Sequence, residues 1–190
     1  MNNIEKIINF IVEIEQLKDI SRNTKPVGLN RYENSAEHSW HVCLSALMLK
    51  EYANDNVDID KVIKMLLIHD LGEIDAGDTV FYHANTAEVK NAEIKGIKRI
   101  LSKLPSELAE TYFNLWQEFE AGETPESMFA RAVDRLPPLL HNIYGQGHSW
   151  KKFNIPKEKV LALNGKRITE GSLELWKVME MKIQNSFRGE

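Results

Sequence analysis

Three features are scarce or missing in this sequence of 190 residues. It has a single cysteine, Cys43, which excludes an internal disulfide. It has no secretory hydrophobic segment and no apolar run long enough to cross a membrane, so we expect a cytoplasmic protein with no membrane partner. Its net charge is -4 and it has no basic block. The negative net charge and the lack of a basic block argue against nucleic acid or an anionic membrane surface as a partner.

The composition is that of a compact globular chain. Its 43% hydrophobic content over 190 residues is enough for one well-buried core and little for two. We therefore predict a single domain over residues 1–190. Apolar residues recur at helical spacing, and no segment alternates as a half-buried strand would. The predicted fold is an all-α bundle of about seven to nine helices.

Helix boundaries can be predicted from caps, prolines and glycines. A first amphipathic helix contains Ile4, Ile7, Ile8, Ile11 and Ile14, and a loop follows from Arg22 to Ser35. We expect a further loop over about residues 75–85, next to the motifs described below. The other predicted helices cover about 36–54, 60 through His69-Asp70, 86–103, 105–120, a helix from Thr124-Pro125 that carries Asp134 and ends near Pro137-Pro138, and a last pair marked by Pro156 and Gly171.

The adjacent pair His69-Asp70 is the most informative motif. It ends an apolar run, and Glu73 follows four residues after His69. Neighbours on a helix point about 100° apart, so both side chains can reach one ion, while Glu73 falls on the same side one turn later. One short segment can thus supply two metal ligands and a general acid or base.

Two further residues have the chemistry of metal ligands. Ser35 is a predicted N-cap, which places His38 in the first turn of a helix. Asp134 is a carboxylate within an otherwise apolar helical stretch, where it requires a partner. That partner is either a metal ion or a neighbouring arginine, Arg131 or Arg135.

Together these residues make a mixed nitrogen and oxygen ligand set. Such a set suits one divalent ion, and Mn, Fe, Co and Zn all tolerate it. The candidate ligands are His38, His69, Asp70 and Asp134.

Three segments resemble motifs of the HD-domain metal phosphohydrolases. They are Glu33-Asn34-Ser35-Ala36-Glu37-His38, His69-Asp70-Leu71-Gly72-Glu73 and Gly77-Asp78. The resemblance is greatest to the branch of bacterial 5'-deoxynucleotidases and their eukaryotic relatives. It covers about residues 5–142, and C-terminal helices over residues 143–190 follow.

The resemblance implies a role for each matching residue. The four candidate ligands would hold one divalent metal ion, and Glu73 and Asp78 would handle the nucleophilic water and the proton transfers. Arg22 would bind the substrate phosphate. Without the resemblance, Glu73 could be a solvated helix residue, Asp78 a turn former after Gly77, and Arg22 a cap on the first helix.

The implied activity is release of phosphate from (deoxy)nucleoside 5'-monophosphates, which are small-molecule substrates. The resemblance also implies that the enzyme forms a homodimer. Two departures concern the substrate: Asn23 stands where the bacterial nucleotidases have an aromatic residue, and no proline follows Asp78. Candidates for a nucleoside-binding wall, each of which could equally belong to the core, are Tyr32, Trp40, Phe81 and Tyr82.

Other functions stay open at this point. The ligand set could belong to a metal-stabilised nucleotide-binding regulatory module, or to an HD hydrolase that acts on a different phosphorylated metabolite. A diiron oxygenase would need two metal ions. His83, His141 and His148 lack the additional histidine pattern of the dinuclear HD proteins.

Overall fold

A computed structural model describes residues 2–79, 81–82 and 87–188. These residues are mainly helical and form no β-strand, and one isolated bridge joins Ser21 to Asn34. The predicted all-α class is thus confirmed. The helices are α1 (Asn3–Glu13), α2 (Ser35–Leu49), α3 (Ile59–Ile68), α4 (Glu73–Ala76), α5 (Ala87–Leu101), α6 (Ser106–Ala121), α7 (Pro125–Asp134), α8 (Leu136–Tyr144), α9 (His148–Lys152), α10 (Lys157–Gly171) and α11 (Leu173–Ser186), with 3₁₀ segments at Ile14–Asp19 and Lys50–Tyr52.

The number of longer helices agrees with the prediction. α4 and α9 are short segments of 4 and 5 residues. Without these two, nine helices remain among the described residues. Of the loop predicted over residues 75–85, positions 80 and 83–85 lie outside the described residues, and so does residue 86.

The start of α2 differs from the prediction by one residue. Asn34, not Ser35, is the N-cap: its side chain accepts a hydrogen bond from the Glu37 amide at 2.9 Å, and the Glu37 carboxylate accepts one from the Asn34 amide at 2.8 Å. This is a capping box, in which two amides of the first turn find partners. The Ser35 hydroxyl is left free to donate to Glu73 at 2.6 Å.

The end of α3 also differs from the prediction. The helix stops at Ile68, and His69 and Asp70 lie in the turn that leads to α4. The turn still places both side chains on the same side as Glu73. At the other end of the site, α7 ends at Asp134 and α8 begins at Leu136, as expected from two prolines, because proline is tolerated in the first turn of a helix but not inside one.

The core brings the motif-bearing helices together. α2, α3 and α7 pack on a cluster of fully buried side chains, and α10 packs along α7. The ends of three helices that are distant in sequence therefore meet in one place. Among the described helices, none is long and apolar enough to cross a membrane. The central side chains of this cluster are Val42, Met65, Leu66, Phe129 and Val133.

Candidate active site

The structure brings the four candidate metal ligands into one buried group. The Nε2 atom of His38 lies 2.9 Å from Asp134 Oδ1, and the Nε2 atom of His69 lies 3.4 Å from the same oxygen. Asp70 completes the group, with Oδ1 at 3.1 Å from His69 Nε2 and Oδ2 at 3.9 Å from His38 Nε2. α2 supplies His38, the turn after α3 supplies the pair, and the last residue of α7 supplies Asp134.

The donor atoms of this group fit a divalent cation. The Nδ1 atom of His69 donates to the Leu66 carbonyl at 2.7 Å, which leaves the lone pair of Nε2 facing the carboxylates. This Nε2 is buried and has no hydrogen-bond partner. A buried orphan nitrogen beside two carboxylates is costly unless something binds there. A bound ion would satisfy all four side chains.

The environment of Asp134 includes one of its two arginine neighbours. Arg135 Nη1 lies 3.4 Å from Asp134 Oδ2, whereas Arg131 donates to the Glu120 carbonyl. Burial alone would raise the pKa of Asp134, but His38, His69 and Arg135 close to its carboxylate hold it well below its ordinary value. Asp134 therefore faces both imidazoles and Arg135. The sequence predicted either a metal ion or an arginine as its partner, and this position allows both.

Arg22 is surrounded by carboxylates and lies away from the end of α1. Its Nη1 atom is 2.6 Å from Asp70 Oδ2, 3.6 Å from Glu73 Oε2 and 3.8 Å from Asp78 Oδ1. Burial would lower the pKa of Arg22, but these acids, Asp70 first, raise it, so the guanidinium stays charged. The Arg22 amide donates to the Glu33 carbonyl at 2.8 Å, which fixes the segment beside the site.

Glu73 and Asp78 are held within the same group. Glu73 is buried, and burial together with the charge of Asp70 raises its pKa to about 8. Asp78 accepts a hydrogen bond from Asn23 at 2.8 Å. Neither residue is a solvated side chain. Asn23 positions Asp78, although the bacterial nucleotidases have an aromatic residue where Asn23 stands.

A cavity of about 730 Å³ opens beside this group. One wall carries the carboxylates of Asp70, Glu73 and Asp78 together with Arg22. The lining also includes six cations, here called the cationic wall, of which only Arg131 and Arg135 were named above, as possible partners of Asp134. On amphipathic helices such cations resemble ordinary solvated residues, so the sequence holds no signal that distinguishes them. They are Lys90, Arg131, Arg135, Lys159, Lys166 and Arg167.

Phe81 links the cationic wall to the loop after α4. The guanidinium carbon of Arg135 lies 3.8 Å from the centroid of the Phe81 ring, and that of Arg167 lies 4.8 Å from it. Burial, together with Arg131 and Arg135, lowers the pKa of Arg167 to about 10. Clustered guanidiniums of this kind favour an anionic ligand.

The other aromatic candidates for a nucleoside wall have different positions. The Tyr82 hydroxyl accepts hydrogen bonds from Trp150 at 3.2 Å and from Asn164 at 3.0 Å, so it belongs partly to the core although it lines the cavity. Tyr32 and Trp40 are not among the residues that line the cavity. Trp40 is 65% exposed on the outer side of α2.

Comparison with known proteins agrees with the motifs. Residues 14–176 match the HD domain family. The crystal structure of a protein from Magnetospirillum magnetotacticum, described as a predicted metal-dependent phosphohydrolase, superposes with a TM-score of 0.91, at 41% identity over 98% of this chain and 96% of that one.

Named relatives of this chain are 5'-deoxynucleotidases. The human 5'-deoxynucleotidase HDDC2 is 25% identical over 136 residues, which are 70% of this chain and 65% of the human protein. The Photorhabdus laumondii 5'-deoxynucleotidase plu3092 is 30% identical over 167 residues, 81% of this chain and 83% of that protein. The chain thus spans slightly less than two thirds of the human relative's length. With the family match over residues 14–176 and the 41% identical structure, the chain belongs to the HD-domain family.

Proposed function

We propose that this protein is a metal-dependent phosphohydrolase that releases phosphate from (deoxy)nucleoside 5'-monophosphates. The observation that supports it most is the buried group of His38, His69 and Asp134, whose ligand atoms lie within 4.8 Å of one another, with Asp70 next to both histidines. A cavity of about 730 Å³, which Glu73 and Arg22 also line, opens beside this group. The names of the relatives support the same reaction class. The substrate is a small phosphorylated molecule, since the cavity is large enough for a mononucleotide.

The proposed ligands of the ion are His38, His69, Asp70 and Asp134. A divalent ion, Mn, Fe, Co or Zn, supplies Lewis acidity toward phosphate oxygen and lowers the pKa of water when it is bound. The protein contributes the orientation of these ligands. The hydrogen bond from His69 to the Leu66 carbonyl is the clearest example, because it fixes which ring nitrogen faces the site.

Glu73 and Asp78 are the proposed acid and base. A water oxygen attacks phosphorus, the bond to the nucleoside 5' oxygen breaks, and the proton lost by the water returns to that oxygen. Glu73, with a pKa of about 8, can accept and release a proton near neutral pH. Asp78, held by Asn23, lies on the same wall and can orient the water.

Arg22 is the proposed phosphate ligand. It lines the cavity, stays charged and lies 2.6 Å from Asp70, so a phosphate bound there would contact a fixed guanidinium. Arg135 and Arg167 line the same cavity and add positive charge to it. An anionic substrate would offset the repulsion between these cations.

The direct test is phosphate release from matched ribo- and deoxyribonucleoside 5'-monophosphates by the metal-loaded protein. We expect release with the wild type, none with Asp70→Ala, and normal release with Asp55→Ala, which changes an exposed residue. No release with any of the four metals, despite bound ion, would refute the proposed reaction. Nucleotide-dependent thermal stabilisation without release would then favour a regulatory binding module.

We further propose that the protein is a homodimer. An apolar stripe on α2 is exposed, and burying such a stripe in a symmetric interface would be favourable. Sedimentation velocity on the wild type and on Leu47→Glu tests this: a dimer that becomes a monomer supports the proposal, and a monomeric wild type contradicts it. The stripe consists of Trp40, Leu44, Leu47 and Met48.

The proposed location is the cytoplasm. The only cysteine, Cys43, is buried and free, which agrees with a reducing compartment. Cell fractionation with an antibody to the protein tests this proposal, and recovery outside the cytoplasmic fraction would contradict it.

A further inference from the structure

A second group of metal-binding side chains lies beside His38, away from the catalytic carboxylates. It consists of Glu33 before α2, His41 on α2 and His141 on α8. One ligand atom from each residue lies within 4.8 Å of the others. None of the three was assigned to the proposed reaction.

The Glu33 carboxylate lacks a hydrogen-bond partner at one oxygen. The residue is 2% exposed, and its Oε2 atom is buried without a hydrogen bond. The nearest nitrogens are His38 Nδ1 at 3.4 Å, Arg22 Nε at 3.6 Å and His141 Nδ1 at 3.8 Å. His38 Nδ1, which carries the ring proton when Nε2 binds a metal ion, is also buried without a close partner and faces this oxygen at 3.4 Å. A carboxylate oxygen has a second lone pair, so Glu33 can accept a further partner beside His38.

The two histidines are arranged around the same point. The centroids of the His41 and His141 rings are 6.3 Å apart. The Thr24 hydroxyl lies 3.0 Å from His141 Nδ1 and holds the ring in place. This is the kind of outer contact that orients a metal-binding histidine.

The group is accessible from solvent. Glu33, His41 and His141 all line a cavity of about 580 Å³ on the outer side of α2. Trp40 and Tyr144 line the same cavity. An ion would enter the group from this cavity and not from the catalytic one.

We propose that Glu33, His41 and His141 form a second divalent-cation site, suited to Zn²⁺. Two imidazoles and one carboxylate make a three-ligand zinc set that leaves a fourth position for water. The hard ions Mg²⁺ and Ca²⁺ prefer all-oxygen ligands and fit this set poorly. The site differs from the group formed by His38 and Asp134, and its existence does not depend on phosphate release.

The second site should bind Zn²⁺ more weakly than the first. Arg22 and His38 lie close to Glu33 and partly offset its charge, and the site has one carboxylate where the first group has two. Occupancy would also change the charge that faces the Nδ1 atom of His38. We therefore expect the second ion to bind at a higher Zn²⁺ concentration than the first.

The test is the number of Zn²⁺ ions bound per chain at equilibrium dialysis. We expect the wild type to bind one ion more than His41→Asn. The control His148→Asn changes a histidine outside both groups and should bind as many ions as the wild type. The weaker of two binding steps in a calorimetric titration should disappear in His41→Asn, while circular dichroism reports whether the variant is folded. Equal ion counts for the wild type and folded His41→Asn would overturn the proposal.

A further variant separates this proposal from the proposed reaction. Asp134→Ala should lose the tighter Zn²⁺ and keep the weaker one, whether or not the wild type releases phosphate from any nucleotide. Loss of both ions in folded Asp134→Ala would contradict an independent second site. A wild type that releases no phosphate and still binds the His41-dependent ion would leave the second site supported and the proposed reaction refuted.

Discussion

The Nη1 atom of Arg22 lies 2.6 Å from Asp70 Oδ2, and this ion pair joins the segment before α2 to the turn after α3. Two further acids, Glu73 and Asp78, lie within 3.8 Å of the same nitrogen. Arg22 is thus a partner of the acids that surround the candidate metal ligands, in addition to its proposed contact with phosphate. Its removal should affect stability as well as binding.

We predict that Arg22→Gln destabilises the protein without metal. Removing one partner of a buried ion pair leaves an uncompensated charge and costs about 3–5 kcal/mol. The exposed pair of Arg31 with Glu37 is the control, because solvent screens it and Arg31→Gln should cost much less than Arg22→Gln. Urea unfolding with a chelator measures both changes. Equal free energies of unfolding for the two variants would contradict a structural role for Arg22.

Asp134→Ala should abolish tight metal binding. Asp134 lies within 3.4 Å of the Nε2 atoms of both histidines, so its loss removes a ligand and a charge from the centre of the group. Metal content after gel filtration, measured by mass spectrometry, should fall from about one tightly bound ion to near zero in the predicted one-metal site. Asp55→Ala serves as the exposed control. Retention of the ion by folded Asp134→Ala would exclude Asp134 as a ligand.

Glu73→Gln should lower turnover and leave the metal content unchanged. The amide keeps the shape of the side chain but cannot accept the proton from water, and loss of a general acid or base typically costs about 10²–10⁴ in rate. Phosphate release and metal content are measured on the same sample, with Glu123→Gln, at an exposed position, as the control. A variant with full turnover would assign proton transfer to another residue, with Asp78 tested next through Asp78→Asn.

The pKa of Glu73 also predicts a pH dependence of stability in the metal-free protein. The pKa is about 8 in the folded chain, against an ordinary value of 4.5. Between these values the folded state holds a proton that the unfolded state has lost, so the free energy of unfolding falls as the pH rises through this window. Glu73→Gln removes this contribution, and above pH 8 it should be more stable than the wild type by roughly 3–5 kcal/mol.

The measurement is chemical unfolding in chelator at pH 5, 7 and 9, with the free energy of Glu73→Gln compared with that of the wild type. Using the difference cancels the contributions of other titrating groups, such as His69, whose pKa also changes in the fold. The exposed variant Glu123→Gln should follow the wild type at every pH. A difference that does not grow with pH would show that Glu73 ionises normally.

The sequence predicted which side chains come together better than it predicted the local geometry of the site. Residue types and order, together with the resemblance to the HD-domain motifs, predicted that His38, His69 and Asp70 act together, and the structure brings these three side chains close to one another. The end of α3 before His69 was not predicted, because the apolar pattern continues through Leu71 and gives no stop signal. Tertiary packing, not the local pattern, decides where that helix ends.

The cationic wall could not have been predicted from the sequence. Arg135 and Arg167 come from α7–α8 and α10, and only the packing of α10 along α7 brings them to one ring, that of Phe81. Each arginine alone is typical of a solvated helix face. The same holds for Glu33 and His141, whose proximity depends on the contact between α2 and α8.

The position of α5 against the site depends on two glycines in direct contact. A Cβ atom at Gly96 would lie 2.5 Å from the Gly72 carbonyl oxygen, and one at Gly72 would lie 2.8 Å from the Glu93 carbonyl oxygen. Gly72 lies between the His69-Asp70 pair and Glu73. Any side chain at Gly96 must therefore move α5 or the turn that carries the site.

We accordingly predict that Gly96→Ala is destabilising although alanine is the better helix former. The clash is with backbone, which cannot rotate away, and overpacking of this kind costs about 1–3 kcal/mol, more than the gain in helix propensity of up to about 1 kcal/mol. Lys95→Ala, at the exposed neighbouring position, gains propensity without the clash and should be neutral or stabilising. Urea unfolding measures both variants. Phosphate release by Gly96→Ala should fall by more than the loss of folded protein explains, because displacement of Gly72 moves Glu73. If Gly96→Ala is as stable and as active as Lys95→Ala, the contact between the two glycines relaxes without cost.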